Sequence, residues 1–140
     1  MSLSGVARND GSQNIHFIRK RVQFSDPIFN AGTGIKIGRL PARAFIMQIS
    51  YQVPTAFNST TSDTLQLGTT ASGVDILAAT TVHSIVAFTN ATAAAGLGLA
   101  VTGSATADVD VFAKLTPGTP STATTGDATV VIEFAPDNDL

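Results

Sequence analysis

One segment constrains this chain more than any other. In Phe45-Ile46-Met47-Gln48-Ile49-Ser50-Tyr51-Gln52-Val53 every odd position is apolar, and three of the four positions between them are polar. A strand sends alternate side chains to opposite faces, so Phe45, Met47, Ile49, Tyr51 and Val53 are predicted to line one buried side of a sheet. A helix would scatter the same five round its axis. Pro54 ends the segment. Such a strand needs neighbours for its backbone and a second layer for its apolar face.

The rest of the chain offers both. Ile15 to Phe24 reads as a strand with an irregularity, because Ile15 and Phe17 share one phase while Ile18, Val22 and Phe24 share the other. A bulge or bend near Ile18 would reconcile them. Ser25-Asp26-Pro27 is a turn signal. Ile35-Lys36-Ile37 is a short strand, and Leu40-Pro41-Ala42 turns the chain. Further strands are predicted at Thr64–Gly68, between Val82 and Phe88 with Val82, Val86 and Phe88 in one phase, and at Leu97–Val101. Val74–Leu77 fits a strand or a single helical turn, and the alanine-rich run 91–95 fits neither pattern cleanly. Near the end, Val109, Val111, Ala113 and Leu115 share a face, as do Val130, Ile132 and Phe134, with a Pro/Thr/Gly loop between.

Many short strands, turn chemistry between them and no long amphipathic helix predict an all-β fold, an antiparallel β-sandwich. Eight strands in two sheets is the jelly-roll number. An immunoglobulin-like sandwich is the competitor, without its usual cysteine and tryptophan markers. Residues 1–14 show no apolar periodicity and are read as a flexible N-terminal arm, with residues 15–140 forming one domain. A chain of 140 residues suffices for one core of that kind.

Charge divides the sequence unevenly. Arg8, Arg19, Lys20, Arg21, Lys36, Arg39 and Arg43 lie in the first third, opposed there only by Asp10 and Asp26. After Arg43 the sole cation is Lys114, against Asp63, Asp75, Asp108, Asp110, Asp127, Glu133, Asp137 and Asp139. A basic part followed by an acidic body points to an interaction arm, and an acidic body disfavours nucleic acid as partner. No apolar stretch approaches the span of a bilayer, and the first residues lack the apolar core of a secretory signal, so no membrane role is expected.

The search for chemistry returns little. There is no cysteine, and the two histidines, His16 and His83, stand apart from any metal-ligand pattern, so both are read as structural. No Gly-x-Ser-x-Gly elbow is present. Asp108 and Asp110 share a strand face and could hold a hard cation, yet they read better as the wet face opposite Val109 and Val111. Gly32-Thr33-Gly34 and Gly96-Leu97-Gly98 do not continue into phosphate loops. No catalytic, metal or cofactor site is predicted, and the chain is read as a non-enzymatic protein that binds protein surfaces.

A resemblance narrows this reading. Gly38-Arg39-Leu40-Pro41, the long alternating segment, Phe57-Asn58 and Leu65-Gln66-Leu67-Gly68-Thr69 resemble small structural proteins encoded beside the major capsid protein of tailed phages. Within that group the sequence is similar to head decoration, or cementing, proteins with a jelly-roll fold, over residues 32 to 70. The resemblance implies a virion protein made in the host bacterial cytoplasm. It would bind the outer surface of the icosahedral head, with the major capsid protein and its own copies (dimer or trimer at symmetry axes) as partners. The seven early cations, Arg8, Arg19, Lys20, Arg21, Lys36, Arg39 and Arg43, are the candidate capsid contacts on charge alone. A head fibre, tail or baseplate component, or a carbohydrate-binding sandwich, is the alternative. The last is disfavoured because Tyr51 falls in the buried phase.

Overall fold

The computed structural model describes residues 14–26, 32–91, 106–118 and 123–136. They form eight strands: β1 (His16–Gln23), β2 (Ile35–Leu40), β3 (Phe45–Thr55), β4 (Asp63–Gly68), β5 (Leu77–Thr81), β6 (Ala87–Ala91), β7 (Val109–Pro117) and β8 (Asp127–Ala135). One sheet has the order β1-β8-β3-β6 and the other β2-β7-β4-β5, with every pairing antiparallel. Successive strands mostly change sheet, so the two layers are laced together as in a jelly roll. The expected all-β sandwich is the observed fold. The predicted arm lies almost wholly outside the described residues, as do the predicted strand at 97–101 and most of the alanine-rich run.

Both sheets turn their apolar phase inward. Ile18, Val22, Ile49, Val53, Val130 and Ile132 from the first sheet meet Leu40, Leu65, Leu67, Val111, Ala113 and Leu115 from the second. Fully burying one such side chain contributes about 1.5–3 kcal/mol, so this layer carries the fold. The late strands behave as their alternation predicts: Val111, Ala113 and Leu115 on β7, and Val130 and Ile132 on β8, are completely buried.

Three phase expectations fail, each for a local reason. On β3, Ile49, Tyr51 and Val53 are buried, but Phe45 and Met47 are about half exposed and Ile46 is buried instead. The β3–β8 register shifts between Ile46 and Gln48. An extra residue there reverses the alternation, as a bulge must. On β1 the anticipated bulge is absent: β1 pairs with β8 without a shift. Ile18 and Val22 point inward, and Phe17 faces solvent at 61 % exposure. The third concerns Val82, Val86 and Phe88. Val82 is buried while the other two are exposed. Val82 donates to the Asp63 carbonyl, Ser84 then takes a positive φ of 55°, and only afterwards does β6 begin. That turn resets the phase. The Val74–Leu77 segment resolves into a turn that buries Ile76 and leads into β5 at Leu77.

Candidate interaction flanks

The strand orders place β1 and β2 at one end of their sheets and β6 and β5 at the other. Ile18 of β1 reaches across to Gly38 of β2, where a Cβ would lie 2.9 Å from its Cγ2. The Tyr51 hydroxyl of β3, beside β6, lies 3.3 Å from Thr80 Oγ1 of β5. The sandwich therefore has two lateral flanks, β1–β2 and β5–β6.

The early cations gather on the first. Arg19 and Arg21 project from the outer face of β1, while Lys20 takes the inward phase and is partly buried. Lys36 and Arg39 lie on β2, and Arg43 occupies the following turn with φ 57°. Arg8 lies outside the described residues. Three of these cations are already held by carboxylates of the same chain. Arg21 Nε donates to Asp127 Oδ1 at 2.9 Å. Lys36 Nζ sits 2.8 Å, and Arg39 Nε 3.0 Å, from Asp110 Oδ1, and Arg39 also lies 3.8 Å from Asp108. Hydrogen bonds from Lys36 and then Arg39 hold the Asp110 carboxyl below the ordinary carboxylate range, and the bond to Asp127 raises the Arg21 guanidinium above its own. Asp108 and Asp110 thus do form a wet face, and it is neutralised by β2. These acids of the late sequence and cations of the early sequence interleave in space.

The β5–β6 flank has the opposite character. From Ile76 to Ala91, its described residues, it contains no Asp, Glu, Lys or Arg. Val86 and Phe88 stand 73 % and 72 % exposed there. No strand among the described residues pairs with the outer edge of β6. At the foot of this flank lies the one buried carboxylate among the described side chains. Asp63 is fully buried; its Oδ2 accepts from the Ser59 backbone N–H at 3.1 Å and lies 2.9 Å from His83 Nδ1, and its Oδ1 has no partner. Ser59 Oγ donates to the Ser62 carbonyl and accepts from Gly118 N–H. The cluster pins the 57–63 loop to the segment entering β6, which the Phe57–His83 bridge also joins. His16, the other histidine, stacks on Phe134 with ring centres 5.7 Å apart.

The outer faces of the sheets differ as well. On the second sheet the 69–76 loop folds over β4: Gln66 Nε2 donates to the Ser72 and Gly73 carbonyls, and the Gly34 N–H reaches Ala71 O at 2.8 Å. On the first sheet a shallow hollow of about 190 Å³ opens between Arg19 and Phe88, floored by Ser50, Gln52, Thr129 and Val131. Simple alternation hides the exposure of Phe45, Met47, Val86 and Phe88, and that of Phe17 follows from β1 running without the expected bulge or bend. Among the described residues no group of three or more His, Asp or Glu side chains could hold a metal ion.

No family model matches the sequence, and no curated protein matches it significantly. Solved structures do. A chain of the cyanophage Pam1 capsid asymmetric unit superposes with a TM-score of 0.68 at 18 % identity, over 94 % of this chain and 91 % of that one. A chain of the capsid of Ralstonia phage GP4 gives 0.61 at 17 % identity, over 96 % and 91 %. They share its fold. At that identity the likeness concerns the path of the backbone, and it spans nearly the whole of each chain.

Proposed function

We propose that this chain is a structural, non-enzymatic component of a phage capsid, and more narrowly a decoration protein that binds the outer surface of the head and reinforces contacts between major capsid protein subunits. The observation that carries the reading is the end-to-end likeness of fold to chains in two phage capsids. The resemblance of Gly38-Arg39-Leu40-Pro41, Phe57-Asn58 and Leu65-Gln66-Leu67-Gly68-Thr69 to decoration proteins is what suggests the narrower part. A protein that binds the assembled shell and not its separated subunits stabilises the shell by mass action, and repetition over the head multiplies a modest contact.

In this reading the β1–β2 flank faces the shell. It carries every described cation of the first third, and the chain's N-terminal residues run into it at His16. A basic flank steers toward an acidic partner surface and sets the orientation of docking. The paired residues Arg21, Lys36 and Arg39 shape that flank through their own carboxylates, and Arg19 and Arg43 extend it.

Electron cryo-microscopy of purified particles tests the reading directly. Density for this chain on the outside of the head supports it, and density confined to tail or baseplate overturns it. Deleting residues 1–14 is expected to lower head occupancy while the melting temperature stays unchanged; undiminished occupancy removes the arm from the contact. A second reading, glycan binding, gains from one finding: Phe17 and Phe88 are exposed aromatics on an open sheet face, and the hollow beside Phe88 offers guanidinium, amide and hydroxyl groups. Competable binding on a glycan array, lost in Phe88→Ala, would favour it.

A further inference from the structure

We infer that the β5–β6 flank is a self-association surface, on which the outer edge of β6 pairs antiparallel with β6 of a second copy. The inference rests on the strand geometry and does not depend on the capsid reading.

An end strand presents a row of backbone donors and acceptors, and proteins that remain single guard such edges with charge, proline, bulges or shortness. Of the four end strands here, β1 carries Arg19, Lys20 and Arg21, and β2 carries Lys36 and Arg39 and a register shift between Lys36 and Gly38. The β5 strand has the same five-residue length as β6, but its pairing with β4 shifts register between Leu65 and Leu67. Only β6 has neither charge, nor proline, nor an irregularity in its pairing, which runs unbroken from Ala87 opposite Val53 to Ala91 opposite Ile49. It is preceded by Val86 and contains Phe88, the two most exposed large apolar side chains among the described residues. Depletion of charge together with an exposed aromatic is the composition of an interface core.

Charge also selects the occupant. Two copies meeting through their β1–β2 flanks would set like cations against each other, a repulsion the β5–β6 flank avoids. A foreign partner is often chosen by complementary charges, and from Ile76 to Ala91, the described residues of this flank, the chain offers no Asp, Glu, Lys or Arg. A second copy needs none, because a two-fold axis makes one patch its own complement. Pairing close to Phe88 would extend the β1-β8-β3-β6 sheet into its twin and bring the two Phe88 rings together. The basic flanks would then lie at the outer ends of the dimer, free for another contact.

The test uses the full chain in solution, without heads. Light scattering is expected to give about twice the 14.4 kDa chain mass. Phe88→Lys should give the single-chain mass with an unchanged circular dichroism spectrum, because the two ammonium groups would face each other. Phe88→Glu should do the same, and mixing the two variants should restore the double mass. If Phe88→Lys does not fold, Val86→Asp, placed before the strand, provides the same reading. A wild-type monomer at the highest soluble concentration overturns the inference. So does a trimer, which would require a different edge, and so does a mixture of the lysine and glutamate variants that stays monomeric. A confirmed dimer that fails to bind heads would leave this inference standing and remove the capsid reading.

Discussion

The two flanks of the sandwich solve one problem in opposite ways. Both end in strands whose outer edges pair with no other strand among the described residues. The β1–β2 flank meets water with cations and ties three of them to carboxylates recruited from β7 and β8. The β5–β6 flank meets it with threonine, alanine, valine and phenylalanine, and hides its one acid, Asp63, beneath the surface. The first arrangement is salt-sensitive and long-ranged, suited to orienting the molecule against a charged surface. The second is short-ranged, and its contribution appears only on close contact. One fold thus carries two flanks whose contacts act over different ranges.

The largest way to break the contrast is at Asp63. Asp63→Ala removes the acceptor for the Ser59 N–H and the partner of His83, and leaves a hole where the side chain was fully buried. A loss of about 3 kcal/mol is expected, the size of losing a buried, hydrogen-bonded polar cluster together with the hole it leaves. Denaturant unfolding measures it. Because the cluster anchors the segment entering β6, hydrogen exchange should accelerate at β5 and β6 before β1 and β8. Uniform acceleration would show that the cluster serves the whole fold equally.

A smaller effect of opposite sign is expected at Arg43. Its φ of 57° costs a non-glycine residue about 1 kcal/mol, so Arg43→Gly should stabilise by roughly that amount. If the residue extends the shell contact, the same variant should lower head occupancy while raising the melting temperature. Occupancy that rises with stability would confine the contact to β1 and β2.

The smallest effect is at Asp110. Its carboxyl is held below the usual range by Lys36 and Arg39. A depressed carboxylate contributes stability above the unfolded value, and that contribution is lost as pH falls through the folded one. Asp110→Asn should therefore leave a shallower fall in melting temperature on acidification below about pH 4, where carboxylates titrate. High salt should shrink the difference between variant and wild type. An unchanged acid limb would mean that the pairs on this flank shape it without stabilising it.

Much of this was legible in the residues. The alternation in β7 and β8 placed Val111, Ala113, Leu115, Val130 and Ile132 correctly, because those strands run regularly against their neighbours. The cations of the basic flank could be named from the chain alone, while their partners could not. Arg39 and Asp110 are 71 positions apart, and Arg21 and Asp127 are 106. Such pairs come together only through strand order. Asp63 and His83, 20 positions apart, were separately visible, but their meeting depends on the turn at Ser84. Outward phenylalanines were hidden for another reason. Apolar residues carry no mark of the face they occupy, and periodicity assigns it only while the register holds.

The shift in β3 has a consequence for how such a chain can vary. Ile46 and Ile49 both point inward although three positions separate them, so one residue between them is surplus to the pleat. Removing Met47 would leave a plain strand with the same two isoleucines buried and Gln48 still outside. The long alternation of the sequence is therefore two shorter ones joined by an insertion that happens to be apolar. At this point chain length and packing are uncoupled, and a gain or loss of one residue can be inherited without disturbing the layer beneath.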